Sequence, residues 1–346
     1  MLCNGVSTMS PQGSCNECSE QTGTEKLHVT EDIWKQQEEF GPTKVELRNG
    51  VIMPILGLGT SHSGGYSHQA VLHALKDCGY RLVDTAKRYG CEMLLGKTLR
   101  DSGVSREDIF LTTKLWPRDY GAFATKQAFY GSMERLGVEY IDLFMMHWPE
   151  CMSSCSNKWQ ILEETWRSLE LLLDEGLCRS IGVSNYDIPD LEKQLDTCSV
   201  VPFVNQVEFH PYQNPKALFE YCKENKIQFH GYSPLAKGQI LKEAPVTQIA
   251  KHHNRTPAQV LIRWSIQNEV VTIPKSTNKH RVKENAQVFN FELSPEEMDL
   301  LNNLHDGRRI VDVSTLQSRI DSDLPDGYKL HFVSLVEEKS NYRNHS

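Results

Sequence analysis

No stretch of about 18 apolar residues occurs in this 346-residue chain, so no membrane-spanning helix is expected. Basic residues are outnumbered, with 37 Lys and Arg against 45 Asp and Glu, and the formal charge of −8 comes without a clustered basic stripe. A nucleic-acid partner is therefore not expected. A secretory apolar segment at the start is also missing and the ten cysteines are scattered, which points to reduced thiols and a cytoplasmic location. Cys15-Asn16-Glu17-Cys18 has C-x-x-C spacing, but no second pair or suitably spaced histidine pair accompanies it, so no metal site is expected. Gly57-Leu58-Gly59 lacks the third glycine and the following acid of a dinucleotide fingerprint, which removes the main support for a doubly wound open sheet.

What is present suits a large soluble fold: 39% apolar and 24% charged residues. Residues 1–43 are rich in Ser, Thr, Gly, Gln and charge and are expected to be a mostly disordered extension, with a short helix possible over Asp32–Phe40. Val45 to Met53 alternates and turns at Asn49-Gly50, a hairpin signal. From Ile55 onward eight apolar runs alternate with amphipathic segments: Ile55–Gly59, Leu82-Val83, Ile109–Thr113, Ile141–Met146, Ser180–Val183, Phe203–Gln206, Ile227–Gly231 and Val270–Ile273. That alternation is the signature of a parallel α/β sheet, and eight runs predict a (β/α)8 TIM barrel over residues 44–306 with an N-terminal β-hairpin. Helices are expected over Gln69–Cys78, Thr125–Leu136, Lys158–Glu175, Pro215–Glu224, Pro257–Gln267, Lys279–Asn285 and Ser294–Leu301, several of them opening at Pro or after Ser or Thr. Residues 307–346 read as a loop and tail.

Polar residues recur where these runs end. Asp84 closes the second run, Lys114 follows the third and His147 the fourth, while Tyr89 lies in the loop after Asp84. In a parallel barrel the carboxyl ends of the strands share one mouth, so the four converge there. Taken singly, each has an ordinary explanation as a cap, a core aromatic, a solvated side chain or a structural hydrogen bonder. Together they suit carbonyl reduction. A phenol with an unperturbed pKa of about 10 needs a nearby cation to exchange protons near neutrality, and Lys114 can be that cation. Asp84 would hold Lys114 charged, and His147 could orient a substrate carbonyl toward Tyr89.

At this point the chain resembles the aldo-keto reductase family from about Val45 to Asn303. The resemblance is carried by Gly57-Leu58-Gly59-Thr60, Asp84-Thr85-Ala86 with Tyr89 and Glu92, Thr113-Lys114-Leu115-Trp116, His147-Trp148-Pro149, Gly182-Val183-Ser184-Asn185, Asn205-Gln206, Tyr232-Ser233-Pro234-Leu235 and Ile273-Pro274-Lys275-Ser276. It implies NADP(H) bound across the mouth and reduction of small aldehydes or ketones, with Asp84, Tyr89, Lys114 and His147 as the catalytic four. By the same resemblance Ser184, Asn185 and Gln206 hold the nicotinamide amide and Tyr232 stacks on its ring. Ser233 and Leu235 meet the pyrophosphate, Lys275, Ser276, Thr277 and Arg281 the 2′-phosphate, and Glu284 and Asn285 the adenine. Trp116 and Trp148 line the substrate pocket with His147. Ser61 stands where many mammalian members carry a tryptophan, Lys237 replaces a small polar residue, and the segment Leu235–Thr247 is short. The alternative implied by the fold is a cofactor-binding regulatory or structural protein. A monomer is favoured.

Overall fold

The computed structural model describes residues 42–60 and 64–322. Residues 1–41 of the expected extension, with the Asp32–Phe40 helix and the Cys15–Cys18 pair, lie outside these residues, as do Ser61 and the chain beyond residue 322.

A hairpin of β1 (Lys44–Glu46) and β2 (Ile52–Pro54) pairs Val45 with Met53. Gly50 takes the positive φ of 81° that its turn requires. Leu47, Met53 and Ile55 are buried in the main core, and Asn49 Nδ2 donates to the Arg179 carbonyl at 2.9 Å. Arg179 sits at the amino end of its strand, so the hairpin covers the barrel floor, opposite the mouth.

Eight strands follow in parallel: β3 (Leu58–Gly59), β4 (Leu82–Asp84), β5 (Phe110–Leu115), β6 (Ile141–Met146), β7 (Cys178–Ser184), β8 (Val204–Glu208), β9 (Gln228–Tyr232) and β10 (Val271–Thr272). Each pairs with the next in chain order. The two ends of the sheet meet through a parallel bridge between Leu56 and Thr272, with Gly57 N donating to Thr272 O at 2.9 Å and Thr272 N to Ile55 O at 2.8 Å. The sheet therefore closes on itself, which removes exposed edges. Close packing leaves little room: a Cβ on Gly182 would lie 2.7 Å from the Val204 carbonyl of the neighbouring strand.

The helices are α1 (His68–Asp77), α2 (Glu92–Ser102), α3 (Ala122–Leu136), α4 (Lys158–Asp174), α5 (Ile188–Thr197), α6 (Lys216–Glu224), α7 (Ala244–His252), α8 (Pro257–Gln267), α9 (Lys279–Ala286), α10 (Pro295–Asn302) and α11 (Leu316–Asp321). Capping boxes set the starts of α5, α8 and α10, through Asp187 with Asp190, Thr256 with Gln259 and Ser294 with Glu297. Helices α2, α5, α7 and α11 lie outside the stretches named from the sequence. In α2 the central Gly96 lets the backbone at the end of α3 approach, since a Cβ there would lie 2.4 Å from the Leu136 carbonyl oxygen. Helices α5 and α7 are short, with a proline in the first turn. Helix α11 falls inside the stretch expected to be loop and tail. Its apolar residues Leu316 and Ile320 have no partners nearby in sequence and find them at the barrel mouth.

Candidate active site

Strand β4 delivers Asp84 and strand β5 delivers Lys114, both essentially without solvent contact. Lys114 Nζ lies 2.6 Å from Asp84 Oδ1 and donates a second bond, 3.0 Å, to the Thr85 carbonyl. The other Asp84 oxygen, Oδ2, accepts from Gln206 Nε2 at 2.8 Å, so the carboxylate joins β4, β5 and β8 at one level. Burial pulls the Lys114 ammonium below its usual pKa, and the charge and hydrogen bond of Asp84 oppose that loss.

After Asp84 the chain makes a 3-10 turn over Lys87–Tyr89, within the stretch expected to be irregular loop, and the turn folds the phenol back over the mouth. Gly90 ends it in the left-handed region at φ 70°. The Lys114 ammonium stands 5.2 Å from the Tyr89 ring centroid. Burial raises the Tyr89 phenol well above its usual pKa, reinforced by the charge of Asp84, so the group carries its proton at neutral pH. The imidazole of His147 meets Tyr89 edge-on, with ring centroids 5.8 Å apart, and stacks on Trp148 at 6.3 Å. Asp84, Tyr89, Lys114 and His147 therefore share one cluster.

Glu92, at the start of α2, is buried and accepts from Thr113 Oγ1 at 2.7 Å and Arg135 Nε at 2.8 Å. It pins the helix after the Tyr89 turn to the strand that carries Lys114.

Beside the cluster, Asn185 adopts a left-handed φ of 64°, a conformation asparagine tolerates better than most residues. Its amide donates to the His147 carbonyl at 2.9 Å, and its Oδ1 accepts from the Tyr232 hydroxyl at 2.8 Å. Ser184 Oγ donates to the Gln206 carbonyl at 2.7 Å. These bonds fix Ser184, Asn185, Gln206 and Tyr232 along one side of the mouth, and Ser233 follows at φ 55°.

Lys275 and Ser276 lie past the end of β10, with Thr277 exposed just before α9 and Arg281 exposed within its first turn. Asn278 caps α9 by accepting from Arg281 N at 3.2 Å. Lys275 is half-buried, and a Cβ on Gly64 would lie 3.1 Å from its Nζ. Glu284 Oε1 accepts from Thr256 Oγ1 at 2.9 Å, whereas the buried Asn285 Oδ1 has no protein partner. An unpaired acceptor, a helix start, exposed hydroxyls and two cations make a set that fits a phosphorylated nucleoside. Lys237 takes another course: its Nζ donates to the Ile310 carbonyl at 3.3 Å. Leu235 is partly buried against the main core.

Trp116 and Trp148 form a separate apolar wall with Leu316 and Ile320 of α11. The Trp116 Nε1 donor is buried without a protein partner. Tyr120 positions Trp148, donating its hydroxyl to the Trp148 carbonyl at 2.7 Å. The lip is tied down from outside by Asp321, which accepts from Ser153 N at 2.8 Å and Ser153 Oγ at 2.6 Å.

Sequence reasoning passed over three participants. His230 on β9 lies beneath the site with Nδ1 3.3 Å from Gln206 Nε2, and burial lowers its pKa to about 3, helped by the Lys114 charge. Glu208 accepts from Ile310 N at 2.6 Å and from His210 Nε2 at 2.9 Å, strapping the chain beyond the barrel across the mouth. Helix α11 is the third. His230 and Glu208 do fall at the carboxyl ends of apolar runs, the one signal that could have drawn attention to them.

The sequence profile of the Aldo/keto reductase family matches residues 55–306. An uncharacterized oxidoreductase of Caenorhabditis elegans is 49% identical over 291 residues, which cover 84% of this chain and 89% of that protein. Glyoxal reductase of Bacillus subtilis is 45% identical over 268 residues, covering 77% of this chain and 94% of that enzyme. Among solved structures, a Bombyx mori aldo-keto reductase in complex with NADP aligns with a TM-score of 0.74 at 29% identity, covering 82% of this chain and 98% of that one.

Proposed function

The chain belongs to the aldo/keto reductase family, and from that premise we propose that it reduces small aldehydes or ketones to alcohols, with NADP(H) as cofactor and Tyr89 as proton donor. The observation that carries this reading is the buried Asp84–Lys114 pair beside a phenol that keeps its proton. When bound, NADPH supplies the hydride that the carbonyl carbon receives. Ser184, Asn185 and Gln206 would hold its nicotinamide amide, with Tyr232 against the ring. Ser233 and Leu235 would meet the pyrophosphate, Lys275, Ser276, Thr277 and Arg281 the 2′-phosphate, and Glu284 and Asn285 the adenine.

The remaining work falls to the chain's own groups. His147 and the Trp116 Nε1 donor orient the carbonyl oxygen, and the apolar wall of Trp116, Trp148 and Ile320 keeps water away. The Tyr89 hydroxyl gives its proton to the carbonyl oxygen as negative charge gathers there. The resulting phenolate is stabilised by the ammonium of Lys114, which Asp84 keeps in place.

Tyr89→Phe tests the assignment in an NADPH-oxidation assay with a panel of aldehydes and ketones. Turnover should fall by about 10²–10⁴ while NADPH affinity, followed by fluorescence, is retained. Unaltered turnover in Tyr89→Phe would remove the proton-donor role. No turnover by the wild type, with tight NADPH binding, would favour a cofactor-binding regulatory role on the same fold.

A further inference from the structure

We propose that His252, His253 and Glu297 form a binding site for a borderline divalent transition-metal ion, zinc by preference, which ties the end of α7 to the start of α10. The three side chains lie apart from the groups described at the barrel mouth. His252 Nδ1 and Glu297 Oε1 are 2.8 Å apart, as are His253 Nε2 and Glu297 Oε2, and a set of one ligand atom from each residue falls within 4.8 Å. Adjacent histidines at a helix end normally diverge. Here His252 reaches with the ring nitrogen nearer its backbone and His253 with the farther one, so both converge on a single carboxylate.

The chemistry of the set favours a metal over a simple ion pair. Two imidazoles and one carboxylate are the ligands of an open tetrahedral zinc site, with water in the fourth position. Glu297 Oε2 also accepts from Ser294 N at 2.9 Å, a backbone bond that orients the carboxylate and leaves Oε1 the freer ligand atom. Burial would raise the Glu297 pKa, but hydrogen bonds from His253, His252 and Ser294 outweigh it and keep the group ionised. Both histidines also lie at the carboxyl end of α7, where the helix dipole favours a cation. The guanidinium of nearby Arg255 lies over the Phe291 ring at 5.2 Å. No sequence motif announces the site, because Glu297 stands 45 positions after His252.

The test uses the full chain, stripped with chelator and titrated with Zn²⁺ by calorimetry, with Co²⁺ as a spectroscopic probe. Wild type should take up one ion at this site, with a rise in melting temperature and a Co²⁺ spectrum of nitrogen and oxygen ligation. Glu297→Gln keeps a residue able to complete the capping box of α10 but removes the anionic ligand. His252→Ala alters an exposed side chain, at 74% relative exposure, and so leaves the metal-free melting temperature unchanged. Each variant should lower the affinity by at least about tenfold and abolish the metal-induced stabilisation. Undiminished affinity in both variants, a thiolate charge-transfer band with Co²⁺, or no saturable uptake at submillimolar zinc would each overturn the proposal and leave a hydrogen-bonded ion pair only.

Discussion

Asp84, Lys114 and Gln206 occupy the inner floor of the mouth, fixed by strands and almost sealed from solvent, whereas the Trp116–Trp148 wall is held from outside by a six-residue helix with exposed polar anchors. The two regions meet at His147, which is in ring contact with Tyr89 on one side and both tryptophans on the other. Strand ladders pin the floor, so charge can be placed there to within a hydrogen-bond length. The lip contributes apolar surface and the buried Trp116 Nε1 donor. The floor is thus set by the barrel's own strands, and the wall by a segment beyond them.

The difference should show first in the floor. Lys114→Met leaves Asp84 buried without its cation, and breaking such a pair costs about 3–5 kcal/mol. Denaturant unfolding should register that loss and NADPH oxidation should fall to near background. Stability within 1 kcal/mol of wild type would mean the pair contributes far less than its burial implies.

His230 extends the comparison to pH. Its folded pKa, lowered to about 3 by burial and by Lys114, lies under the unfolded value of 6.5. Between those values the unfolded chain binds a proton that the folded one refuses. The associated loss of stability is absent above pH 6.5, grows as pH falls, and saturates near pH 3. His230→Gln should make the acid limb of the stability curve shallower by up to about 1.4 kcal/mol per pH unit. Parallel curves for the two proteins would show that His230 titrates normally.

The floor was legible in the sequence because strand ends and polar residues coincide: Asp84, Lys114 and His147 each follow an apolar run in a regular α/β rhythm. All eight runs correspond to strands for the same reason, since period and length are local properties. The lip was not legible. Leu316 and Ile320 are two apolar residues in a polar stretch, and what makes that stretch helical is packing against Trp116 and Trp148, which stand far back in the chain. Gly96 likewise answers to a tertiary contact: its local preference is to break α2, and its place there is set by the close approach of the end of α3. His230 reads as one more member of an apolar strand until the fold puts Gln206 above it.

Within the lip itself, Ile320→Ala should act mainly on substrate binding. Removing a fully buried isoleucine typically costs about 2–5 kcal/mol, but here the loss falls on a six-residue helix that can detach while the barrel stays folded. The KM for aldehydes should rise several-fold, with little change in global melting temperature and with faster proteolysis after residue 304. A large drop in melting temperature would show that the lip is part of the core.

Asp321 supplies the smallest and sharpest contrast, because it anchors the same helix by polar means. Its side chain accepts two bonds from Ser153, and those bonds hold its carboxyl below the usual range, so the latch is intact above pH 3.8 and lost as pH falls through the lowered value. At neutral pH the group is exposed, and water can replace both donors when it is removed. Asp321→Ala should therefore change KM by no more than about twofold, well short of Ile320→Ala one residue away. If instead the two variants raised KM equally, the lip would depend on its latch as much as on its apolar face, and the wall over the site would be a hinged element rather than a packed one.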